Sequence, residues 1–383
     1  MDKIKKAAIE VLLHNARGPY QGLPRTAGWG YPEPYTRDWM IAALGILTTG
    51  NDELIDAVRR TLAALALNQT ALGHIPSLAH NPTDCGSSDT TILFLIALAL
   101  FKSITGEQPF LEEAAYKALQ WIQYQSPDDT VVIAQQPSSD WRDEQWVFGY
   151  GLYINTLLYA CLRLYGQYER ASLLHRLVNL VGVRHEEGGR VIHEGLGLAE
   201  LPHYAFWVYK VHISERFDLL GNSLAILFGL ASPLKAMEII TWAEAACEGL
   251  RAKGDLDSRL LLPPCLIPYI RPGEPDWQPR YKLFNQPGQY HNGGVWPFIV
   301  GFYVAALVAV GEQQLAEQKF VALSELVVKS RSEKLRYGFN EWFCAQDGQP
   351  IGQDWQTWSA AMYLYAAACV ESHRVPFFST LSE

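Results

Sequence analysis

The chain has 383 residues, 49% of them hydrophobic and 19% charged, with a net charge of −9. Lys and Arg scattered along an acidic chain exclude the concentrated basic face of a nucleic-acid binder. The most apolar stretch, Thr90 to Phe101, is too short for a bilayer, which takes about 20 residues to cross, and the composition is that of an ordinary globular protein.

The N-terminal segment MDKIKKAAIEVLLHNA predicts an amphipathic helix carrying Glu10 and His14. It lacks the uninterrupted apolar core and small-residue cleavage site of a signal peptide. From there the chain repeats one order: a polar, aromatic or glycine-rich loop, a helix apolar nearly all round, then a more amphipathic helix. The apolar helices are predicted to start near Trp39 (WMIAALGIL), Asp89 (DTTILFLIALAL), Leu152 (LYINTLLYACLRLY), Leu219 (LLGNSLAILFGLA), Pro297 (PFIVGFYVAALVAV) and Trp355 (WQTWSAAMYLYAAACV). Between them lie DELIDAVRRTLAALALN, FLEEAAYKALQWIQYQ, YERASLLHRLVNLV, PLKAMEIITWAEAACEGLR and EQQLAEQKFVALSELVVKS, each with a polar face. A helix that is hydrophobic on every side is buried on every side. Six of these alternating with six amphipathic ones predict an all-α fold, a single (α/α)6 barrel with an inner and an outer ring, taking up 1–383 as one domain.

The six cysteines, Cys85, Cys161, Cys247, Cys265, Cys344 and Cys369, form no CxxC and no Cys/His cluster. Reduced, mostly buried thiols in a cytoplasmic protein are expected, with no metal site and no cofactor.

Inner helices that run the same way gather the loops before them at one end of the barrel, where chemistry collects. Those loops read YTRDW (from Tyr35), GSSD (from Gly86), SSDWRDEQW (from Ser138), YHNGGVWP (from Tyr290) and FNEWF through DWQTW (from Phe339). Carboxylates beside tryptophans recur in them. Sugars present apolar C–H faces fringed by hydroxyls, so a sugar site needs aromatic platforms with carboxylates, amides and Arg around them. Trp39, Trp141, Trp146, Trp296, Trp342, Trp355 and Trp358 offer that mixture. Hydrolysis of a glycosidic bond with inversion needs one protonated carboxyl and one carboxylate that activates water. Asp38, Asp89, Asp140, Asp143, Glu144, Glu341 and Asp354 are all placed for it by spacing, and each taken singly also suits a helix cap or an ion pair.

These motifs resemble the (α/α)6 inverting glycosidases, above all the neutral/alkaline invertases and the amylo-α-1,6-glucosidase part of glycogen-debranching enzymes. YHNGGVWP, Tyr290 to Pro297, is similar to the YHNGG-WP motif of both groups. RFDLLGNSLAILFGLASP, Arg216 to Pro233, RDW at Arg37 and IGQDWQTWSAAMYL at Ile351 are similar to further invertase stretches. The resemblance implies the general acid at Asp143, in WRD ahead of YINTLLY, with Asp140 as the alternative. It implies the general base at Glu341, in NEWFCAQDGQPIG, with Asp347 as the alternative. It further implies sugar binding by Arg37, Asp38, Trp39, Asp89, Trp141, His291, Asn292, Gly293, Trp296, Gln356 and Trp358. The HNGG glycines also suit a sharp turn before Pro297.

The chain departs from invertases after the acid, where Glu144 and Gln145 replace two arginines, which sets sucrose specificity aside as an open point. The expectation is an inverting hydrolase for an α-glycosidic bond of a small sugar, sucrose-like or an α-glucoside, with a small carbohydrate as its partner and neither nucleic acid nor membrane. Two other functions fit the same scaffold. A sugar epimerase or isomerase would want paired loop histidines, for which only His291, with His203 and His212 further off, is available. A non-catalytic carbohydrate-binding barrel would lack one of the two acids.

Overall fold

The computed structural model describes residues 1–127, 130–182, 195–210 and 212–378. Among them thirteen helices follow in chain order: α1 (Asp2–Asn15), α2 (Thr36–Thr49), α3 (Asp52–Leu67), α4 (Thr90–Thr105), α5 (Glu112–Gln123), α6 (Leu152–Leu164), α7 (Tyr168–Val178), α8 (Leu219–Leu227), α9 (Pro233–Lys253), the single turn α10 (Tyr281–Phe284), α11 (Pro297–Ala309), α12 (Gln313–Val328) and α13 (Thr357–Ser372). The predicted apolar helices are α2, α4, α6, α8, α11 and α13. In α8 every residue is buried, and in α11 every residue from Pro297 to Val308. The amphipathic helices bury a single stripe, as α3 does with Leu54, Ala57, Val58, Thr61, Leu62 and Leu65.

That difference sorts the helices into two rings. α2 packs on α4, α4 on α6, α6 on α8, α8 on α11 and α11 on α13, and α13 closes onto α2. α1, α3, α5, α7 and α12 pack outside this ring. α9 is held to it by a buried polar cluster: Lys319 Nζ of α12 donates to Glu244 Oε2 of α9 at 2.6 Å, and Tyr303 Oη of α11 donates to Glu244 Oε1 at 2.8 Å. This is the (α/α)6 barrel that the alternation of helix types predicts.

Local signals set the joints. Asn51 caps α3 through the Leu54 N–H at 3.1 Å, Ser232 caps α9 through the Lys235 N–H at 3.2 Å, and Pro233 and Pro297 stand in the first turns of α9 and α11. Strands among the described residues are two or three residues long and lie in the connections. Tyr150–Gly151 pairs antiparallel with Trp207–Tyr209, which pairs with His212–Ser214, and Phe217–Asp218 pairs with Leu266–Ile267. They tie down the approaches to α6 and α8. Inside the inner ring Met40, Leu44, Leu93, Leu224 and Phe302, with Phe378 from the C-terminal segment, line an apolar pocket.

The inner helices touch backbone to backbone at two glycines. A Cβ on Gly45 of α2 would lie 1.8 Å from the Ala361 carbonyl oxygen of α13, and one on Gly301 of α11 would lie 2.8 Å from that of Met362. Gly249 in α9 has open space where its Cβ would be. Alanine favours a helix over glycine by about 1 kcal/mol, so Gly249→Ala is expected to stabilise the protein by roughly that amount. At Gly45 the sign reverses, because the methyl forces α2 off α13. Gly45→Ala is expected to cost about 1–3 kcal/mol, read from the urea midpoints of the two variants beside the parent.

Candidate active site

The loops preceding α2, α6, α11 and α13 meet at one mouth of the inner ring. They line a cavity of about 530 Å³ with Thr26, Tyr31, Tyr35, Arg37, Asp38, Trp141, Asp143, Tyr290, His291, Trp296, Glu341, Gln356 and Trp358.

One wall is aromatic. His291 stacks on Tyr290 with ring centroids 3.9 Å apart and lies nearly parallel to Trp296 at 5.6 Å. Trp141 meets His291 and Trp296 edge-on at 5.0 and 5.3 Å, and Trp358 stacks on Phe298 at 4.1 Å. Among the described residues, the buried Trp141 Nε1, Trp358 Nε1 and Gln356 Oε1 have no hydrogen-bond partner. Buried polar atoms are nearly always paired, so two donors and an acceptor on a cavity wall suit a ligand rich in hydroxyls. Tyr290 and Trp355 hold positive φ of 46° and 58°, a conformation that non-glycine residues adopt at a cost and that collects at functional sites.

Three carboxyls line the cavity. Glu341 is buried, its Oε2 accepts the Gln353 N–H at 3.0 Å, and burial with help from Asp143 lifts its pKa to about 7 against the pull of that hydrogen bond. Asp38, in the first turn of α2, is also buried and accepts from Gln356 Nε2 at 3.4 Å. Burial raises it to about 8, with Arg37 opposing and Glu341 adding. Asp143 stands at the rim with its side chain 63% exposed, 4.0 Å from His291 Nε2. Desolvation, then Glu144 and Asp140, push it up against Arg37. Water reaches it, so the push is weaker there than at buried Glu341. His291 is held well below the usual histidine range by burial and by Arg142 and Arg37. It is a neutral hydrogen-bonding group.

Arg37 is the cation of the cavity. Its Nε donates to Asp89 Oδ2 at 2.6 Å and its Nη2 to Asp89 Oδ1 at 3.0 Å, a bidentate pair that Tyr153 Oη completes at 3.2 Å. Burial lowers the pKa of Arg37, and Asp89 more than restores it.

Nine of the thirteen sequence-predicted site residues line the cavity: Asp143, Glu341, Arg37, Asp38, Trp141, His291, Trp296, Gln356 and Trp358. The other four stand behind it. Asp89 sits at the N-cap position of α4, and its carboxylate is spent on Arg37. Trp39 lies wholly buried under α2, donating from Nε1 to the Arg25 carbonyl at 2.9 Å. Asn292 clamps Ile270 through both backbone groups, at 2.7 and 2.8 Å. Gly293 has a φ of +104° with the Tyr269 ring against its Cα, leaving no room for a side chain.

The alternative acids are engaged elsewhere. Asp140 is buried, accepting from the Arg142 N–H at 2.7 Å and from Gln135 Nε2 at 3.1 Å. Asp347 is exposed and lines a separate surface depression. Asp354 binds the Arg331 and Ser332 N–H groups at 3.1 and 3.0 Å. His203 packs on Trp242 and Phe217, and His212 is exposed on its strand, so His291 has no histidine companion among the lining residues.

Sequence reasoning left out Thr26, Tyr31, Tyr35 and Tyr290 as site residues. Tyr35 and Tyr290 flank motifs that were recognised. Tyr31, raised first by Glu341 and then by burial and Asp38, comes from an irregular loop that a bridge between Ala27 and Gln356 brings to the mouth.

Comparison with known proteins matches residues 206–372 to the alkaline and neutral invertase family. That span includes His291, Glu341 and Gln356 and excludes Arg37 and Asp143. A probable alkaline/neutral invertase F from Arabidopsis thaliana is 30% identical over 168 residues, covering 42% of this chain and 30% of the relative. Cytosolic invertase 1 from Oryza sativa subsp. japonica is 28% identical over 173 residues, covering 43% and 27%. The chain thus spans less than a third of the length of these curated relatives. Among solved structures, a mannosylglycerate hydrolase from Thermus thermophilus superposes with a TM-score of 0.63 at 16% identity, covering 94% of this chain and 99% of that one. A structure described as a wild-type glycosidase gives 0.64 at 13% identity, covering 96% of each chain. Both are likenesses of fold.

Buried carboxyls with raised pKa values stabilise the folded state only while protonated. The contributions of Asp38 and Glu341 are complete below their unfolded pKa values, near 4, and are lost as pH rises through about 8 and about 7. Asp38→Asn cannot ionise and keeps the shape. Its melting temperature is expected to exceed the parent's at pH 9 and to fall less between pH 5 and pH 9, the underlying stability difference being on the order of a few kcal/mol. Parallel melting curves against pH for the two proteins would contradict this.

Proposed function

We propose that the chain is an inverting glycoside hydrolase for a small α-glycoside, with Asp143 as general acid and Glu341 as general base. The observation that carries the reading is the pairing of an exposed carboxyl at the rim with a buried one inside an aromatic-lined cavity. A single sugar ring fits against Trp141, Trp296 and Trp358, with hydroxyls reaching Arg37, Asp38 and Gln356. The leaving group then lies towards solvent, beside Asp143, which protonates the glycosidic oxygen as the bond breaks. Glu341 takes a proton from water as that water attacks the anomeric carbon from the opposite face. The two carboxyls and the sugar complete this chemistry between them. The similarity to invertases over residues 206–372 supports the base side of the site and a sugar substrate. Within the chain, five of the six cysteines are buried and free. Together with a relative named cytosolic, they support a cytoplasmic enzyme with its helices in one catalytic domain.

The productive form of the pair holds one proton, on Asp143. Glu341, raised to about 7, holds that proton more tightly than Asp143, and the two carboxyls exchange it as a unit, so the pair loses it as pH rises through about 7. For whichever of sucrose, trehalose, maltose, isomaltose or glucosylglycerate is cleaved, kcat/KM is expected to decline as pH rises through about 7. Proton NMR of the first sugar released is expected to show the inverted anomer, and retention would overturn the mechanism.

The two acids are separable by leaving group. Fluoride departs without protonation, whereas every substrate needs activated water. Asp143→Asn is expected to lose about 10²-fold or more on the disaccharide while turning over α-glucosyl fluoride appreciably. Glu341→Gln is expected to be inactive on both yet still to bind sugar in a calorimetric titration. Equal losses of Asp143→Asn on both substrates would show that the acid lies elsewhere.

A further inference from the structure

The residue before the rim carboxyl is a wholly buried arginine. Arg142 Nη2 donates to Asp218 Oδ1, and Nη1 lies 3.5 Å from Asp140 Oδ2. Its guanidinium lies over the Trp141 ring at 4.4 Å and the Phe206 ring at 4.7 Å. Asp140 closes the turn by accepting the N–H of Arg142 itself at 2.7 Å, and Gln135 Nε2 holds the other Asp140 oxygen at 3.1 Å. Asp218 ends the short strand that leads into an inner helix: it caps α8, accepting the Leu220 N–H at 3.2 Å. None of Arg142, Asp140 and Asp218 lines the cavity, whereas Trp141 and Asp143, on either side of Arg142, both do.

We propose that Arg142, held by Asp218 and Asp140, is a positioning residue that fixes where the general acid stands, an inference that rests on the reading of Asp143 given above. A guanidinium stripped of water cannot leave its carboxylates without a large desolvation cost, so the backbone at 142 is fixed relative to α8. Asp143, one residue on, is carried to the cavity side of the same turn. The Gln145 N–H bonds to the Arg142 carbonyl at 3.1 Å and keeps the turn tight. Stability alone is a poor reason for such a cluster, since buried ion triads are often no better than apolar replacements. Two carboxylates share one cation here, and burial pushes Asp218 up to about 6 in spite of Arg142. What the cluster supplies is position, and a rim carboxyl that water reaches needs its position supplied from behind. A misplacement of about 1 Å at a reacting group costs on the order of 10²-fold.

The test uses the full chain carrying Arg142→Lys, and separately Asp218→Asn. Lysine keeps the charge and loses the fork; asparagine keeps the shape and loses the charge. Turnover is measured on the cleaved disaccharide and on α-glucosyl fluoride, with melting curves to confirm folding. If Arg142 acts through the acid, disaccharide turnover falls about 10²-fold while fluoride turnover stays within about 10-fold of the parent. Adding Arg142→Lys to Asp143→Asn then costs little more, because both act on the same step. Equal losses on the two substrates in a folded variant would mark a merely structural role and overturn the proposal. Should Arg142→Lys fail to fold, Asp218→Asn decides by the same ratio. A leaving-group split in Asp143→Asn without one in these variants overturns the positioning role alone. No split in Asp143→Asn overturns the acid assignment and this inference with it.

Discussion

The closure of α13 onto α2 is the contact on which the rest depends. Inner helices as apolar as α8 and α11 have no face to offer water, so each needs two inner neighbours and an outer cover. A row of such helices is stable only once its ends meet, and they meet where Gly45 lets the two backbones touch. Closure has a chemical consequence. An unpaired buried polar atom costs several kcal/mol, which favours apolar side chains within the ring and leaves the charged groups of the cavity to its end. Phe378, from the segment after α13, lines the apolar pocket within the ring. The end at which α2, α6, α11 and α13 begin is open, and there the loops supply the cavity.

That end also fixes the electrostatics. Helix N-termini favour negative charge, and Asp38 sits in one such first turn. Burial works against this and is the first cause of the rise in Asp38, Glu341 and Asp143 alike. Three carboxyls facing one another cannot all ionise cheaply. The single guanidinium that lines the cavity, Arg37, is already neutralised by Asp89. The cavity therefore keeps protons near neutral pH, chiefly on Asp38 and Glu341, so the form that the proposed mechanism uses, with Glu341 ionised and the proton on Asp143, is the less populated one.

The architecture was legible because it is written in periodicity, which is local. All six inner helices begin within a few residues of where the apolar runs predict, and the outer stripes follow from spacing alone. The site was legible in part. Trp39 and Trp141 carry the same signal, a tryptophan beside an aspartate in a loop before an inner helix, yet one is buried beneath α2 and the other faces the cavity. What separates them is that Trp39 belongs to α2 itself, whereas Trp141 stays in the loop before α6, whose path is set by contacts between distant residues. Asp140 and Asp143 also differ. Spacing could not choose between them, and what distinguishes them is Arg142, whose partner Asp218 lies on another loop. Tyr31 was missed because nothing local marks a loop that a bridge to Gln356 carries to the mouth.

The two sides of the cavity are built to different standards of rigidity, and the difference matches the division of labour proposed for them. Glu341 is buried in a hairpin-like loop, with its own N–H bonded to the Gln353 carbonyl at 2.9 Å and its carboxylate accepting the Gln353 N–H at 3.0 Å. A group that must aim a small water molecule at one carbon gains from being held on both flanks. In the role proposed for it, Asp143 would face a leaving group that has to depart, and its side chain is open to solvent at the rim. Its order has to come from the chain behind it. The Arg142 cluster would meet that requirement from outside the cavity, which it does not line, and the proposed positioning role gives a reason for a charge so costly to bury to lie one residue from the proposed acid.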